Sequence, residues 1–403
     1  MPYYRRVGDV PRTRHTQHRA ADGSLRTEEL MGQEGFGHSS ALLYHRHRPT
    51  DIVDAAAVTR PDPGLRDNHP LLPRHLRTHA LDRDGHVDPV TGRTVLLANA
   101  DVEISMVAAT TPSGLYRNAV GDELVYVESG RARLESVFGV LDVAEGDHVV
   151  VPTSTTHRWV PDTDAGPLRL LVVAASGHVA PPKRYLSSRG QFLEHAPYCE
   201  RDLRGPAELL QVEGEDVEVL VRHRGRGPGG VDLTRYTYAH HPFDVVGWDG
   251  CLYPYAFHVS DFQPITGRVH QPPPVHQTFE GPGFVVCAFV PRLFDYHPLA
   301  IPAPYAHANV DSDEVLFYCG GDFMSRKGAG IEQGSITLHP AGFVHGPQPG
   351  SVEASIGAER TEELAIMVDT FRPLQLSSAA VSPQVEDRRY PWTWSGRAPL
   401  APA

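Results

Sequence analysis

Short apolar runs separated by turn residues dominate the pattern of hydrophobic and polar positions along this chain. Few stretches keep an amphipathic helical period for long, and the 36 prolines and 37 glycines are scattered rather than tandem. Runs of about four to eight residues rich in β-branched side chains are typical of strands. The clearest are LVYVESG, HVVVPT, LRLLVVAAS, FVVCAFV, EVLFYCGG and ELAIMVDTF. The pattern therefore predicts a mostly antiparallel β protein, either a sandwich or a barrel.

Two parts of the chain repeat one pattern of turn residues and strands. In each, a glutamate precedes a strand that ends at a glycine seven positions later; a second glycine, a proline six residues on and a histidine five after that complete the pattern. These positions are Glu123, Gly130, Gly146, Pro152 and His157 in the first copy, and Glu314, Gly321, Gly334, Pro340 and His345 in the second. Agreement at so many offsets predicts a duplicated β-domain, with the glutamate and histidine meeting at a barrel mouth.

The length of 403 residues favours two domains, because single cores rarely grow so large. The segment RHRGRGPGG at 222–230 is unsuited to a strand, so we expect it to link an N-terminal domain at 1–221 to a C-terminal domain at 231–403. The basic N-terminus is expected to be an arm packed on another domain or subunit, with a polyanion site as the alternative. In the C-terminal YPWTW, Trp392 and Trp394 fit either a subunit contact or packing on their own domain.

Charge and composition exclude several classes of protein. The net charge of −12 argues against nucleic acid as the main partner. No apolar run is long enough to cross a bilayer, and the N-terminus lacks an apolar signal core, so neither a membrane span nor export is expected. Four cysteines lie far apart without a CxxC spacing, which favours free thiols in a reducing compartment and a cytoplasmic location.

The offsets of the repeat resemble the two cupin motifs, G-x5-H-x-H-x3/4-E-x6-G and G-x5-P-x-G-x2-H. The second motif is complete in the C-terminal half as Gly334, Pro340, Gly342 and His345. The first is present there as His307-Ala308-Asn309, Glu314 and Gly321, with Asn309 in place of its second histidine. The resemblance implies a jelly-roll barrel in each half, hence a bicupin with an N-terminal arm and a C-terminal extension.

Two histidines and a carboxylate around one barrel mouth form the ligand set typical of non-heme Fe(II) oxygenases. His307, Glu314 and His345 supply such a set in the second copy, against the alternative of a loop histidine beside a solvated strand-edge glutamate. Asp313 is the rival carboxylate, since neighbouring side chains on a strand point to opposite faces. The repeat offset to the following glycine favours Glu314.

The first copy lacks the first histidine of this set. Tyr116-Arg117-Asn118 stands in its place. We therefore expect the N-terminal barrel to bind no catalytic iron and to serve as scaffold, with His157 an ordinary buried or edge histidine.

Longer stretches resemble the homogentisate 1,2-dioxygenase family, densely from about residue 235 to about 350. They are HPFDVVGWDGCLYPYAFHVSDFQPITGRVHQPPP, PYAHAN and SITLHPAGFVHGPQPG, with thinner resemblance in EELMGQEGF and SSALLYHRHRPT. The resemblance implies Fe(II) bound by His307, Glu314 and His345, a small aromatic acid and O2 as substrates, and a trimer-based homo-oligomer. The family has one residue fewer between its first histidine and its glutamate, so an ungapped alignment would select Asp313.

Further family positions carry over to residues around these ligands. His270, in VHQPPP, would be the acid/base that removes and returns a substrate proton, because imidazole has an unperturbed pKa of about 6.5. Arg326 or Lys327 would meet the substrate carboxylate, and His339 would lie close to the iron. The substrate-binding positions that the family implies are Tyr305, Phe323, Arg326, Lys327 and His339.

The expected activity is extradiol-type ring opening of a hydroquinone-type aromatic acid, most directly homogentisate to maleylacetoacetate in tyrosine and phenylalanine catabolism. Phe323 replaces a family tyrosine that contacts substrate, which leaves gentisate or another hydroquinone acid open, because sites that hydrogen-bond a group discriminate strongly through it. A cupin isomerase or decarboxylase using Mn or Zn, and a non-catalytic bicupin, are the alternatives.

Overall fold

The chain folds almost entirely into antiparallel strands in a computed structural model that describes residues 3–82, 85–225, 230–323, 326 and 329–395. The strands are β1 (Arg5–Gly8), β2 (Thr27–Gly32), β3 (Ser40–His45), β4 (Ile52–Val58), β5 (Arg74–Arg77), β6 (Thr94–Ala98), β7 (Val102–Ala109), β8 (Leu115–Asn118), β9 (Glu123–Ser129), β10 (Arg131–Ser136), β11 (Gly139–Ala144), β12 (Asp147–Val151), β13 (His157–Pro161), β14 (Leu168–Ala175), β15 (Leu203–Arg204), β16 (Val217–Arg224), β17 (Val231–Tyr238), β18 (Val245–Gly250), β19 (Tyr255–His258), β20 (Gln277–Gly281), β21 (Phe284–Phe289), β22 (Arg292–Leu293), β23 (Asp313–Gly320), β24 (Ser335–His339), β25 (Arg360–Thr361), β26 (Leu364–Thr370) and β27 (Gln375–Leu376). A short α-helix, α1 (Ser351–Ser355), lies between β24 and β25. In the described part of the chain no helix is long and apolar enough to cross a membrane.

The strands form two barrels, which confirms the predicted duplicated β architecture. The first barrel combines an eight-stranded sheet, ordered β15-β19-β12-β9-β14-β7-β6-β27, with a seven-stranded sheet, ordered β11-β10-β13-β8-β16-β17-β4. A buried cluster that includes Val125, Leu134 and Trp159 joins the two sheets. The second barrel is built on a six-stranded sheet, ordered β20-β21-β26-β23-β24-β5, with the small pair β22-β25. All six apolar runs singled out in the sequence lie in these sheets.

The two copies of the sequence repeat have the same strand arrangement. In the first, β9 lies between β12 and β14, and in the second, β23 lies between β24 and β26. Tyr116 pairs with His157 in the first copy, and His307 pairs with His345 in the second. The repeat therefore extends from sequence offsets to backbone pairing.

The turn before the closing histidine also has the same conformation in both copies. Gly342 has a φ of 76°, and Ser154, at the matching position, keeps a left-handed φ of 67° without being glycine. The amide of Ser154 donates to the carbonyl of Asn118 at 2.7 Å, as the amide of Gly342 does to Asn309 at 2.7 Å. A serine with a left-handed φ is strained, so its presence at this turn needs an explanation.

The strands on either side of residues 226–229 pair with each other, contrary to the expectation of an interdomain linker at 222–230. Arg222–Arg224 lie in β16 and pair with Val231–Leu233 of β17, and both strands belong to the first barrel; residues 226–229 are outside the described ranges. β19 returns to pair with β12 of the first barrel, while the early strand β5 pairs with β24 of the second. The division into 1–221 and 231–403 therefore does not separate the sheets.

The basic N-terminal arm packs on its own chain. β1 pairs with β18, and the guanidinium of Arg5 lies over the ring of Tyr253 at 5.4 Å. Arg14 donates from Nε to Asp249 Oδ1 at 2.6 Å. Part of the arm's positive charge is thus neutralised by the body of the protein.

All four cysteines are free thiols, as the sequence predicts. Cys287 and Cys319 are buried, and Cys199 and Cys251 are partly buried. Burial raises the pKa of the Cys287 and Cys319 thiols above the ordinary value, so both remain protonated at neutral pH.

A buried histidine ties β3 to the segment before β18. His45 is 3% exposed, and its Nδ1 and Nε2 lie 2.6 Å from Asp244 Oδ1 and 3.0 Å from Glu29 Oε2. Burial alone would lower the pKa of His45, but the hydrogen bonds to these two carboxylates raise that pKa to about 9. His45 is therefore an imidazolium at neutral pH.

We expect the free energy of unfolding to fall as the pH rises from 6.5 through 9. A pKa raised from 6.5 to about 9 gives stability that is complete below pH 6.5 and is lost above pH 9. At 1.36 kcal/mol per unit, the loss should be about 3 kcal/mol. Urea titrations at several pH values measure it, and the variant His45→Gln should lack most of this slope. The exposed-site control His195→Gln should keep it, and equal slopes in both variants would contradict the assignment.

Candidate metal centre

Three side chains from separate elements converge in the second barrel. His307 precedes β23, Glu314 is the second residue of β23, and His345 follows β24. Nε2 of His345 lies 3.3 Å from Glu314 Oε1, and Nε2 of His307 lies 3.6 Å from Oε2. Their possible ligand atoms all lie within 4.8 Å of one another. Glu314 and His345 are buried and His307 is half-buried, so the group is approached from the side of His307.

Backbone pairing fixes the orientation of the two imidazoles. The amides of His307 and His345 each donate to the other's carbonyl at 2.8 Å, and the ring centroids are 4.3 Å apart. Nδ1 of His307 bonds the carbonyl of Tyr305 at 3.2 Å, and Nδ1 of His345 bonds that of Phe343 at 3.0 Å. Because carbonyls only accept, each Nδ1 carries a hydrogen, and Nε2 is the nitrogen of each ring that can offer a lone pair to a ligand.

The lone pairs make this group suited to a cation. Nε2 of His345 is buried and without a hydrogen-bond partner. An unprotonated nitrogen that faces a carboxylate oxygen is unfavourable in a buried place unless a positive charge lies between them. Two imidazole nitrogens and one carboxylate are also donors that first-row divalent metals accept. The residues therefore fit a bound metal ion.

The neighbouring carboxylate, Asp313, points elsewhere. Its Oδ1 accepts from the amide of Ala341 at 2.9 Å, and its Oδ2 accepts from the amide of Leu374 at 2.8 Å. Both carboxylate oxygens are thus used to hold flanking loops. The structure brings Glu314, not Asp313, to the two histidines, as alternation along β23 requires.

His339 forms a hydrogen bond with the carboxylate of Glu314. Its Nδ1 lies 2.8 Å from Glu314 Oε1, its Nε2 lies 2.8 Å from the hydroxyl of Tyr390, and its ring stacks on His345 at 4.1 Å. Burial lowers the pKa of His339 to about 3, so the ring is neutral, donates from Nδ1 and accepts from Tyr390. Burial would raise the pKa of Glu314, but its contacts with the three histidines hold that pKa well below the ordinary value. The side chain is accordingly a fixed carboxylate.

Tyr390 and Trp394 of the C-terminal YPWTW pack against this group. Tyr390 is fully buried, and Trp394 lies edge-on to His339 with centroids 6.1 Å apart. Nε1 of Trp394 donates to the carbonyl of Gly346 at 2.9 Å. No local sequence pattern indicates that Tyr390 contacts His339.

His270 and Tyr305 form a row of rings that leads to His307. The ring centroids of His270 and Tyr305 are 5.5 Å apart, and those of Tyr305 and His307 are 6.3 Å apart. His270 and Tyr305 are 58% and 56% exposed. Nδ1 of His270 lies 2.8 Å from Asp295 Oδ2. No local sequence pattern links Asp295 to His270, which is 25 residues away.

The remaining positions that the family resemblance implies are Arg326, Phe323 and Lys327. Arg326 is 6% exposed; its guanidinium donates to Tyr318 Oη at 3.2 Å and to the carbonyl of Gly346, and lies 5.9 Å from the ring centroid of Trp394. This position is unlike the accessible one expected of a residue that meets a substrate carboxylate. Phe323 packs edge-on to Tyr318 at 5.0 Å. Lys327 lies outside the described residues.

The equivalent place in the first barrel contains a buried ion pair. Glu123 is 0% exposed and accepts from Arg93 Nη1 and Nη2 at 2.9 and 3.0 Å, from the Tyr116 hydroxyl at 3.0 Å and from Asn118 Nδ2 at 3.1 Å. Tyr116 stands where the second barrel has His307, and Arg93 supplies the positive charge that faces the carboxylate. His157 is buried, as expected, and burial lowers its pKa. The two barrels thus share a frame but neutralise its glutamate differently.

Several known proteins are similar to this chain. Residues 106–174 match the cupin domain family. A protein from Saccharolobus solfataricus named a putative dioxygenase is 39% identical over 98% of this chain and 99% of its own length. A homogentisate 1,2-dioxygenase from Rhodopseudomonas palustris is 24% identical over 96% of this chain and 90% of its own length. Among solved structures, a cupin 2 conserved barrel domain protein from Leptotrichia buccalis covers 74% of this chain and 96% of its own, with a TM-score of 0.33 and 9% identity.

The first of these relatives shares more than a third of its residues with this chain over nearly its whole length. The duplicated barrels and the cupin match are consistent with that relationship. The chain therefore belongs to the bicupin dioxygenase family that includes homogentisate 1,2-dioxygenase.

Proposed function

We propose that the protein is an Fe(II)-dependent dioxygenase that opens the ring of a hydroquinone-type aromatic acid, with homogentisate the first candidate substrate. The main support is the convergence of Nε2 of His307, Nε2 of His345 and the carboxylate of Glu314. Relatives named homogentisate 1,2-dioxygenase support the substrate class. Bound to these three residues, Fe(II) would supply the redox and Lewis-acid chemistry for the reaction with O2.

His270 is the proposed proton carrier. A hydroxyl of the substrate must lose a proton before the ring opens, and imidazole can accept it near neutral pH. The hydrogen bond of 2.8 Å to Asp295 keeps the hydrogen on Nδ1 of His270 and leaves Nε2 free to take and return the proton. The carboxylate of Asp295 also stabilises the imidazolium that results.

A buried positive charge favours an acidic substrate. Arg326 is 6% exposed, and within the described residues no carboxylate forms an ion pair with its guanidinium. The charge of Arg326 thus adds positive potential behind the centre, which attracts an anionic aromatic acid. Direct contact with the substrate carboxylate remains a prediction for Lys327. Phe323 is the position at which we expect substrate choice to differ from that of the relatives. The buried free thiols support a cytoplasmic location.

An oxygen electrode tests the proposal directly. Protein reconstituted anaerobically with Fe(II) should consume one O2 per molecule of homogentisate, and an absorbing ring-opened product should appear. Gentisate and other hydroquinone acids form the comparison panel. Reconstitution with Mn or Zn should give no oxygen uptake. Failure of every acid in the panel to stimulate oxygen uptake would overturn the proposal.

His270→Asn should lower kcat by about 10²- to 10⁴-fold, the usual contribution of a general acid–base. Its iron content should not change, because its ring is not among the converging ligands. Asp295→Asn should lower kcat less than His270→Asn does, because the ring of His270 then loses only the carboxylate that orients it. The exposed variant His297→Asn is the matched control and should retain full activity. Loss of iron in His270→Asn, or unchanged kcat, would contradict the assigned role.

A further inference from the structure

A polar cleft separate from the metal centre lies between the seven-stranded sheet of the first barrel and the sheet β1-β18-β3-β2. Its volume is about 60 Å³. Two stretches that drew attention in the sequence meet there, YHRHRP from the end of β3 and HHPFD from the loop before β18. Neither stretch has a part in the proposed dioxygenase chemistry.

Arg117 provides a cation in this cleft without a carboxylate partner. Nε and Nη2 of Arg117 donate to Thr156 Oγ1 at 2.8 and 2.6 Å, and Nη1 donates to the hydroxyl of Tyr238 at 3.1 Å. No acidic side chain in the described part of the chain forms an ion pair with Arg117. A guanidinium has five N–H donors, so two remain after these three bonds. The two remaining N–H groups of this half-buried guanidinium can donate to the oxygens of an anion.

The other charges in the cleft leave it positive. Its carboxylates, Asp244 and Glu29, both bond the imidazolium of His45 and are thereby neutralised in part. Arg48 lies exposed at the rim. Positive side chains therefore outnumber carboxylates in the lining.

Ser154 also lines the cleft, and this gives a reason for its strained backbone. The matching turn in the second barrel uses glycine, Gly342, at a φ of 76°, whereas Ser154 adopts 67° with a side chain present. Glycine would relieve the strain and would remove a hydroxyl from the cleft lining. Strained positions of this kind occur preferentially at binding sites.

We propose that this cleft binds a small oxyanion through the free donors of Arg117. One water needs about 10 to 15 Å³ of such space, so the cleft accommodates an anion of about five heavy atoms. A simple carboxylate and inorganic phosphate both have this size and the required planar or tetrahedral oxygens. The site does not depend on the dioxygenase activity.

Isothermal titration calorimetry with sodium acetate and with inorganic phosphate, each against sodium chloride at equal ionic strength, tests the site. We expect saturable binding of one anion per chain. Binding of acetate alone would identify a carboxylate site, and binding of phosphate alone would identify a phosphate site. Binding of both anions would identify a general oxyanion site. Absence of saturable binding for both anions would overturn the proposal.

Variants locate the binding in the cleft. Arg117→Gln should weaken it at least tenfold, because a charged hydrogen-bonding partner is lost. Arg117→Lys should weaken anion binding less, since lysine keeps the positive charge but lacks the planar set of N–H donors. The control Arg189→Gln removes an exposed arginine elsewhere and should bind as the native chain does. Ser154→Gly keeps the backbone turn and should lower affinity a few-fold, which provides a test even if Arg117→Gln is poorly folded. Native affinity in folded Arg117→Gln or Arg117→Lys would overturn the proposal.

Discussion

Glu314→Gln should abolish metal binding and reduce oxygen uptake by at least about a thousandfold, since the loss of metal-ion catalysis removes several kcal/mol of transition-state stabilisation. Glutamine preserves the size of the side chain but offers a neutral oxygen. It also disturbs the bond from His339 Nδ1, which lies 2.8 Å from Oε1 in the native chain. Elemental analysis of protein reconstituted with Fe(II), together with an oxygen electrode, measures both effects.

Asp313→Asn is the matched control for this prediction. Asp313 accepts two backbone amides, from Ala341 and Leu374, and asparagine can replace only one of these acceptors without a clash between donors. We expect a loss of about 1 to 3 kcal/mol in the free energy of unfolding with metal content retained. Retained iron in Glu314→Gln with lost iron in Asp313→Asn would reverse the assignment of the carboxylate.

Features set by short-range pattern could be predicted from the sequence. A strand alternates faces with every residue, and a glycine at a fixed offset marks where that strand ends, so Glu314 could be separated from Asp313 without coordinates. The two copies confirmed each other, because Glu123 and Glu314 occupy the same place relative to their glycines. The structure brings the carboxylate to the histidines as this argument requires.

Features that depend on long-range pairing could not be predicted. Tyr390 meets His339 across 51 residues, and Asp295 meets His270 across 25, with no local pattern to link either pair. Arg93 lies 30 residues before Glu123, directly before the start of β6. Local composition also misled, since the strands that flank residues 226–229 pair with each other in one sheet. A hairpin tip and a linker need the same flexible residues, and only the pairing of the flanking strands distinguishes them.

The two barrels share one arrangement of strands and turns but differ in the positive charge that faces its glutamate. Each places a glutamate on its central strand, an asparagine amide beside that glutamate and a histidine after the following turn. In the second barrel, half-buried His307 leaves one side open, where an external cation can bind. In the first, Arg93 supplies the positive charge from within the chain, and Tyr116 closes the side where His307 would stand. Consequently, we expect a full complement of one metal ion per chain.

Arg93→Ala should lower the free energy of unfolding by about 3 to 5 kcal/mol, the usual cost of breaking a buried ion pair by removing one partner. Burial would raise the pKa of Glu123, but Arg93 holds that pKa at about 2. Without the guanidinium, the carboxylate remains buried beside Tyr116 and must either stay charged at high cost or take up a proton.

Urea denaturation of the single and double variants separates this cause from loss of packing. Arg93→Met with Glu123→Gln removes both charges at similar volume, so it should regain most of the stability that Arg93→Ala loses. Arg131→Ala removes an arginine whose side chain is 63% exposed and pairs with Asp162 at 3.1 Å; it should change stability by less than about 1 kcal/mol. If the double variant were as unstable as Arg93→Ala, packing around Arg93 rather than the unpaired charge of Glu123 would explain the loss.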